Sequence, residues 1–189
     1  MKQRYYYTIN SLPHLSFDRP LPITEKEFLD RTQSELNSKD LDILRTARLR
    51  RTEPERVSIH VLKRWYDWER GLRNRLVLLR ATKLGVDHKE FIQAGDEDES
   101  SVRLADEIFQ IESPVDAEHA INKARWDFLE ELEQGRYFNL EKLAVYFLKL
   151  QILERISLFN EEKGRERLVS ILDQVVSVWK QEGKVGFCE

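Results

Sequence analysis

The sequence predicts an all-α protein, a multi-helix bundle built around one long amphipathic helix and one buried helix. Three observations predict it. Of 189 residues only 7 are Gly and 5 are Pro, and 34% are charged against 41% hydrophobic, which suits long helices better than a turn-rich β fold or a disordered chain. Apolar residues recur at three- and four-residue spacing over long stretches. Helix-starting and helix-stopping residues flank those stretches. The length suits a single helical domain over 1–189, with an arm and loop at 1–23 and an acidic loop at 95–101.

The first 23 residues hold Pro13, Pro20 and Pro22 with an aromatic cluster, so the N-terminal arm reads as partly extended and then looped. Thr24-Glu25-Lys26-Glu27 has the capping-box order, in which the threonine hydroxyl takes one amide and the glutamate returns to another. A helix over about 25–36 follows, with Phe28, Leu29 and Leu36 inward. Ser38 offers a second cap, and Leu41, Leu44 and Ala47 carry helical spacing to about Arg50.

The next element is the most legible. From just after Pro54, the residues Val57, Val61, Trp65, Trp68, Leu72, Leu76 and Leu79 fall on one side of a helical wheel, predicting one amphipathic helix over about 55–83 that Gly85 stops. Ile59, Tyr66 and Val77 lie off that stripe and call for a second neighbour. A short helical stretch around 87–94 leads to the run Gly95-Asp96-Glu97-Asp98-Glu99-Ser100-Ser101, read as the acidic loop. Helix is expected over 101–112 and again after Ser113-Pro114 to Leu132, with Ala117, Ile121, Ala124, Phe128 and Leu132 on one face. Asn139 can cap a helix over about 140–159 that is apolar nearly all round, the mark of a buried element. A last amphipathic helix is expected after Gly164.

Composition excludes some functions. The longest apolar run, Leu143 to Leu148, is far short of the roughly 20 residues a bilayer span needs, so no direct membrane insertion is expected. Pro13 and polar neighbours stand where a signal peptide would carry its apolar core, and a cytoplasmic location is expected. The lone Cys188 allows no internal disulfide. No phosphate loop, dinucleotide fingerprint, nucleophile elbow or paired zinc-ligand spacing occurs, so neither catalysis nor a cofactor is expected. Asp116 and His119 have the spacing of half a di-iron motif, but such a site needs a second motif and two further carboxylates; they read as surface residues and no metal is expected. Trp65, Tyr66 and Trp68 beside Arg64 and Arg70 resemble a stacking platform for bases. Both tryptophans lie inside the apolar stripe, so the core reading is preferred and no nucleic-acid binding is expected.

Charge is unevenly spread. Residues 45–83 carry twelve Lys or Arg and four Asp or Glu, whereas residues 84–134 carry four and fifteen. Helices packed with opposite charges would produce this, and so would a basic face awaiting an acidic partner. Arg56, Lys63 and Arg70, with Arg73 and Arg80 on an adjoining strip, form the basic side of the long helix and are the candidate partner contacts together with Asn74. An ordinary solvated face with pairs such as Glu69 to Arg73 is the alternative.

Three stretches carry a resemblance. They are Tyr5-Tyr6-Tyr7 to Leu12-Pro13, then Glu69-Arg70-Gly71-Leu72-Arg73-Asn74 with Leu79-Arg80-Ala81-Thr82-Lys83-Leu84-Gly85, and Tyr146 to Arg155 with Phe159-Asn160-Glu161-Glu162-Lys163-Gly164. Together they resemble an uncharacterised bacterial family encoded within V-type ATPase operons. The middle stretch is also similar to a helix of the C-type central-stalk component of V-type ATPases (the d-type in eukaryotes), whose pattern Asn74, Leu78, Leu79, Arg80, Lys83, Leu84 and Gly85 match in order. This chain is about half as long as that component. The resemblance implies a non-catalytic, all-helical component of a proton or sodium ATPase that contacts stalk or rotor subunits and is peripheral to the inner membrane through them. An independent helical adaptor or regulator is the competing expectation, and a metal-dependent enzyme a more remote one.

Overall fold

The computed structural model describes residues 5–50, 59–94 and 99–158. Residues through Ile156 form one compact unit and those from Ser157 a second; the bundle core lies within the first. Seven helices lie among the described residues and no strand does: α1 (Tyr6–Ser11), α2 (Glu25–Thr32), α3 (Ser38–Thr46), α4 (His60–Leu84), α5 (Glu99–Phe109), α6 (Pro114–Glu133) and α7 (Leu140–Leu158). The fold is an all-α multi-helix bundle. Arg56 and Val57, the run from Gly95 to Asp98, Phe159, and the helix expected after Gly164 lie outside the described residues.

Helix α7 is the centre. Ten of its residues are buried, among them Leu143, Phe147, Leu150 and Ile152, and Asn139 Oδ1 accepts the amide of Lys142 at 3.0 Å to cap it as expected. The ring of Phe28 from α2 stacks on Phe147 at 5.1 Å and on Tyr146 at 5.5 Å, so a short helix is anchored through aromatic area more than length. The capping box at Thr24 and Glu27 is present in full.

Several boundaries differ from expectation. The arm is not simply extended, because Tyr6–Ser11 is helical; the backbone amide of Tyr5 donates to the Phe138 carbonyl at 2.9 Å, and Tyr6 stacks on Phe138. Helix α2 ends at Thr32, whose hydroxyl bonds back to the Phe28 carbonyl, and turns follow to Leu36. Asn37, not Ser38, caps α3, which stops at Thr46. Ile59 is extended (φ −120°, ψ 140°), so the long helix is not continuous from 55 but starts at His60, a β-branched residue being at ease in that conformation. Residues 87–94 form a turn and loop, not a helix, and Glu99 to Ser101 are already helical, which shortens the acidic loop.

Helix α4 buries Val61, Trp65, Trp68, Leu72 and Leu76 as the stripe requires, while Leu79 lies partly exposed. Gly85 ends it in the left-handed region at φ 68°, with the Val86 amide returning to the Ala81 carbonyl at 3.0 Å. The second neighbour demanded by Tyr66 is the segment after α3: the Tyr66 hydroxyl accepts from the Arg48 amide at 3.2 Å. Helix α6 begins at Pro114 under a Ser113 cap and packs a broader side than expected. Asn122, Arg125, Trp126 and Leu129 are buried with Ile121 and Leu132, while Ala117, Ala124 and Phe128 are half-buried. Phe128 still stacks on Trp68, with ring centres 4.5 Å apart.

Candidate functional site

Arginines converge where four elements meet. Gln151, buried on α7, donates its side-chain amide to the Ala47 carbonyl and accepts from the Leu49 amide, each at 3.0 Å, and so pins the chain just before Arg50. One turn further along α7, Arg155 donates twice to Glu118 of α6, at 2.9 and 2.6 Å. Two turns along α6 stands Arg125, 3.9 Å from the same Glu118. Its Nε and Nη2 grip both oxygens of Glu69 on α4 at 3.0 and 2.6 Å, and its Nη1 reaches Asn122 at 3.1 Å. Arg73 lies one turn beyond Glu69.

The electrostatics of this junction are lopsided. Burial opposes the charge of Arg125, yet Glu69 and Glu118 more than offset it and hold the guanidinium above its ordinary pKa. Arg50 is held below its ordinary value, first by desolvation and then by the nearby charges of Arg73, Arg125 and Arg155.

The expected partner contacts fall into groups. Lys63 and Arg80 are exposed on α4. Arg70 is half-buried and paired with Asp67 at 2.6 Å, and Arg73 is half-buried. Asn74 is buried; its amide donates to the Gln93 carbonyl at 2.7 Å and accepts the Gln93 amide at 3.0 Å, fastening the loop after α4 to the helix. The uneven charge of the sequence is partly answered inside the bundle, since Arg75 of α4 meets Asp106 of α5 at 2.9 Å and Arg64 meets Glu131 of α6 at 3.5 Å.

A cleft of about 590 Å³ lies under the segment 12–18, between α6 and α7. At its floor the buried Lys149 ammonium sits 2.5 Å from Glu133 and 4.9 Å from the Trp126 ring, and Lys142 pairs with the other oxygen of Glu133. Trp126 donates to Glu130 at 2.8 Å. Burial lowers the proton affinity of Lys149, and burial with the charge of Lys149 lowers that of Lys142. These ionisable groups are spent on one another. Sequence reasoning missed them; the one available signal was a lysine in the middle of the most apolar helix. Trp65 and Trp68 are core residues, as expected. Among the described residues no group of three or more His, Cys, Asp or Glu is placed to hold a metal ion; the Asp116 amide belongs to the Ser113 cap and the exposed His119 ring lies 5.3 Å from Phe17. No helix among them is long and apolar enough to cross a membrane.

A family model described as "Protein of unknown function (DUF2764)" matches residues 97–178, a range that takes in α5 through α7. No curated protein and no solved structure matches the chain.

Proposed function

We propose that this chain is a non-catalytic component of a V-type ATPase, akin to the C-type central-stalk component and held at the membrane from the cytoplasmic side through stalk or rotor subunits. The observation that carries the reading is α4. The residues that resemble the C-type helix, apart from the Gly85 that ends it, lie in one uninterrupted helix of 25 residues, roughly 37 Å long, sunk on one side into the bundle and bearing exposed Lys63 and Arg80 elsewhere on its surface. A part that carries torque or holds neighbours must resist bending, and a side packed at crystal-like density supplies that stiffness. The exposed cations would steer an acidic stalk or rotor surface, with an attraction that weakens as salt rises.

Affinity isolation of native complexes tests this. The tagged chain should recover rotor or stalk subunits in stoichiometric amount, and Lys63→Glu with Arg80→Glu should reduce that recovery several-fold while helicity is unchanged. Recovery alone, or with unrelated proteins, would favour an independent helical adaptor. A variant that recovers the ATPase as well as the parent does would remove this side of α4 from the contact.

A further inference from the structure

We propose that the cleft beneath residues 12–18 is a carbonyl-binding site, in which the Lys142 amine captures a small apolar aldehyde as a covalent imine. The adduct is stoichiometric, so it stands whether or not the chain joins an ATPase. Lys142 and Lys149 lie seven residues apart on α7, close to two turns, and both line the cleft. One carboxylate serves the two: Glu133, the last residue of α6, takes Lys142 on one oxygen and Lys149 on the other. Lys149 is firmly held, with Glu133 at 2.5 Å, Glu130 at 3.8 Å and the Trp126 ring at 4.9 Å. Its side chain is 8% exposed, whereas that of Lys142 is 26% exposed and within reach of a guest in the cleft.

The placement of Lys142 weighs against a permanent charge. It stands in the first turn of α7, just after the Asn139 cap, where the positive end of the helix dipole disfavours a cation. A second ammonium shares its carboxylate. The amine is also partly withdrawn from water, and burial together with the charge of Lys149 lowers its proton affinity. Lysines in such surroundings serve as amine nucleophiles at neutral pH.

The reaction balances within the cleft. The Lys142 ammonium gives a proton to Glu133, to which it is already hydrogen-bonded, and the freed lone pair attacks the carbonyl carbon. The C=O π pair moves to oxygen, which takes a proton from the nitrogen to give a carbinolamine. Glu133 then returns its proton to that hydroxyl; water departs as the nitrogen lone pair closes the C=N bond. The iminium carries the charge that the ammonium carried, so the ion pair with Glu133 outlasts the reaction. Leu12, Leu15, Leu143 and Trp126 supply apolar walls, and a volume of about 590 Å³ suits a small molecule.

Treating the full chain at neutral pH with butanal and cyanoborohydride, which reduces an imine to a stable amine, tests this, with each lysine read by peptide mass spectrometry. Lys142 should be labelled several-fold faster than the exposed Lys63, although accessibility alone favours the reverse order. Lys149→Met removes the neighbouring charge and suits an apolar helix; it should slow labelling of Lys142 several-fold and leave Lys63 unchanged. Butanal should favour Lys142 over Lys63 more than glyceraldehyde does, because the polar aldehyde gains nothing from the apolar walls. Lys142 labelled no faster than Lys63 in the parent would overturn the proposal, and that comparison does not depend on how a variant folds. An undiminished rate at Lys142 in Lys149→Met would overturn it too. An equal or reversed preference between the two aldehydes would overturn the ligand class.

Discussion

Arg125 and Glu69 meet in the interior between α6 and α4 as a forked ion pair, with side chains only 3% and 4% exposed. Neither residue is where a sequence reader expects charge. Withdrawing two such groups from water is costly, and the pair is sustained by its two parallel hydrogen bonds, a third from Arg125 to Asn122, and the charge of Glu118 3.9 Å away.

Breaking that pair from one side should be severe. Glu69→Ala leaves a guanidinium buried against weak compensation and should lower unfolding free energy by about 3 to 5 kcal/mol. Replacing both residues with leucine should cost far less. Denaturant titration of the two variants checks the order, and a single variant within about 1 kcal/mol of the parent would show that water reaches the pair.

Tyr146 should make alkaline stability pH-dependent. Burial pushes its hydroxyl up to about 12 from an ordinary value near 10, and that hydroxyl donates to the Pro13 carbonyl at 2.8 Å. The folded-state value lies above the unfolded one, so the contribution is whole below pH 10 and fades as pH climbs toward 12. Tyr146→Phe should cost about 1 kcal/mol at neutral pH. The gap between parent and variant should narrow across that alkaline window; a gap that stays constant would contradict the assignment.

Asn74→Asp should release the loop after α4. The aspartate keeps an acceptor for the Gln93 amide but sets a second oxygen against the Gln93 carbonyl, where the native amide donates at 2.7 Å. A loss of about 1 to 3 kcal/mol is expected, with faster amide exchange at Gln93. Unchanged protection there would mean the loop is held by other contacts.

Gly85→Ala should destabilise α4 at its end. An added methyl meets nothing within 4 Å, so the cost is purely that of φ 68° and should be about 1 to 2 kcal/mol. Gly85→Asn should be milder, since asparagine tolerates that region. Equal melting temperatures for the parent and the alanine variant would show that the helix can end otherwise.

Local rules suffice for much of the fold. The capping box at Thr24, the Ser113-Pro114 start of α6, the Asn139 cap of α7 and the Gly85 stop each depend on residues within a few positions of one another, and all four stand where periodicity and capping place them. Reading fails where a partner far along the chain decides. Arg125 and Asn122 look like surface residues of α6 until Glu69 is brought to them, which is why periodicity alone makes the inner side of α6 too narrow. Tyr6–Ser11 is helical although its sequence suggests an arm, with Phe138 holding the entrance. The junction of α4, α6 and α7 is legible only as scattered charges, since Arg125 and Glu69 stand 56 positions apart and Arg155 and Glu118 stand 37 apart.

The chain up to the first residue of α2 finds its partners late. Tyr5 bonds to Phe138, Pro13 to Tyr146, and Glu25 to Glu154, so these residues leave the ribosome with no home until more than a hundred others have emerged. At about 5 to 20 residues per second that wait lasts many seconds, during which the tyrosines of this segment are bare to the surroundings. The newborn chain therefore needs either a chaperone's shelter or a tolerance for being unfinished, and a circular permutant that moved this segment beside α7 would shorten the delay.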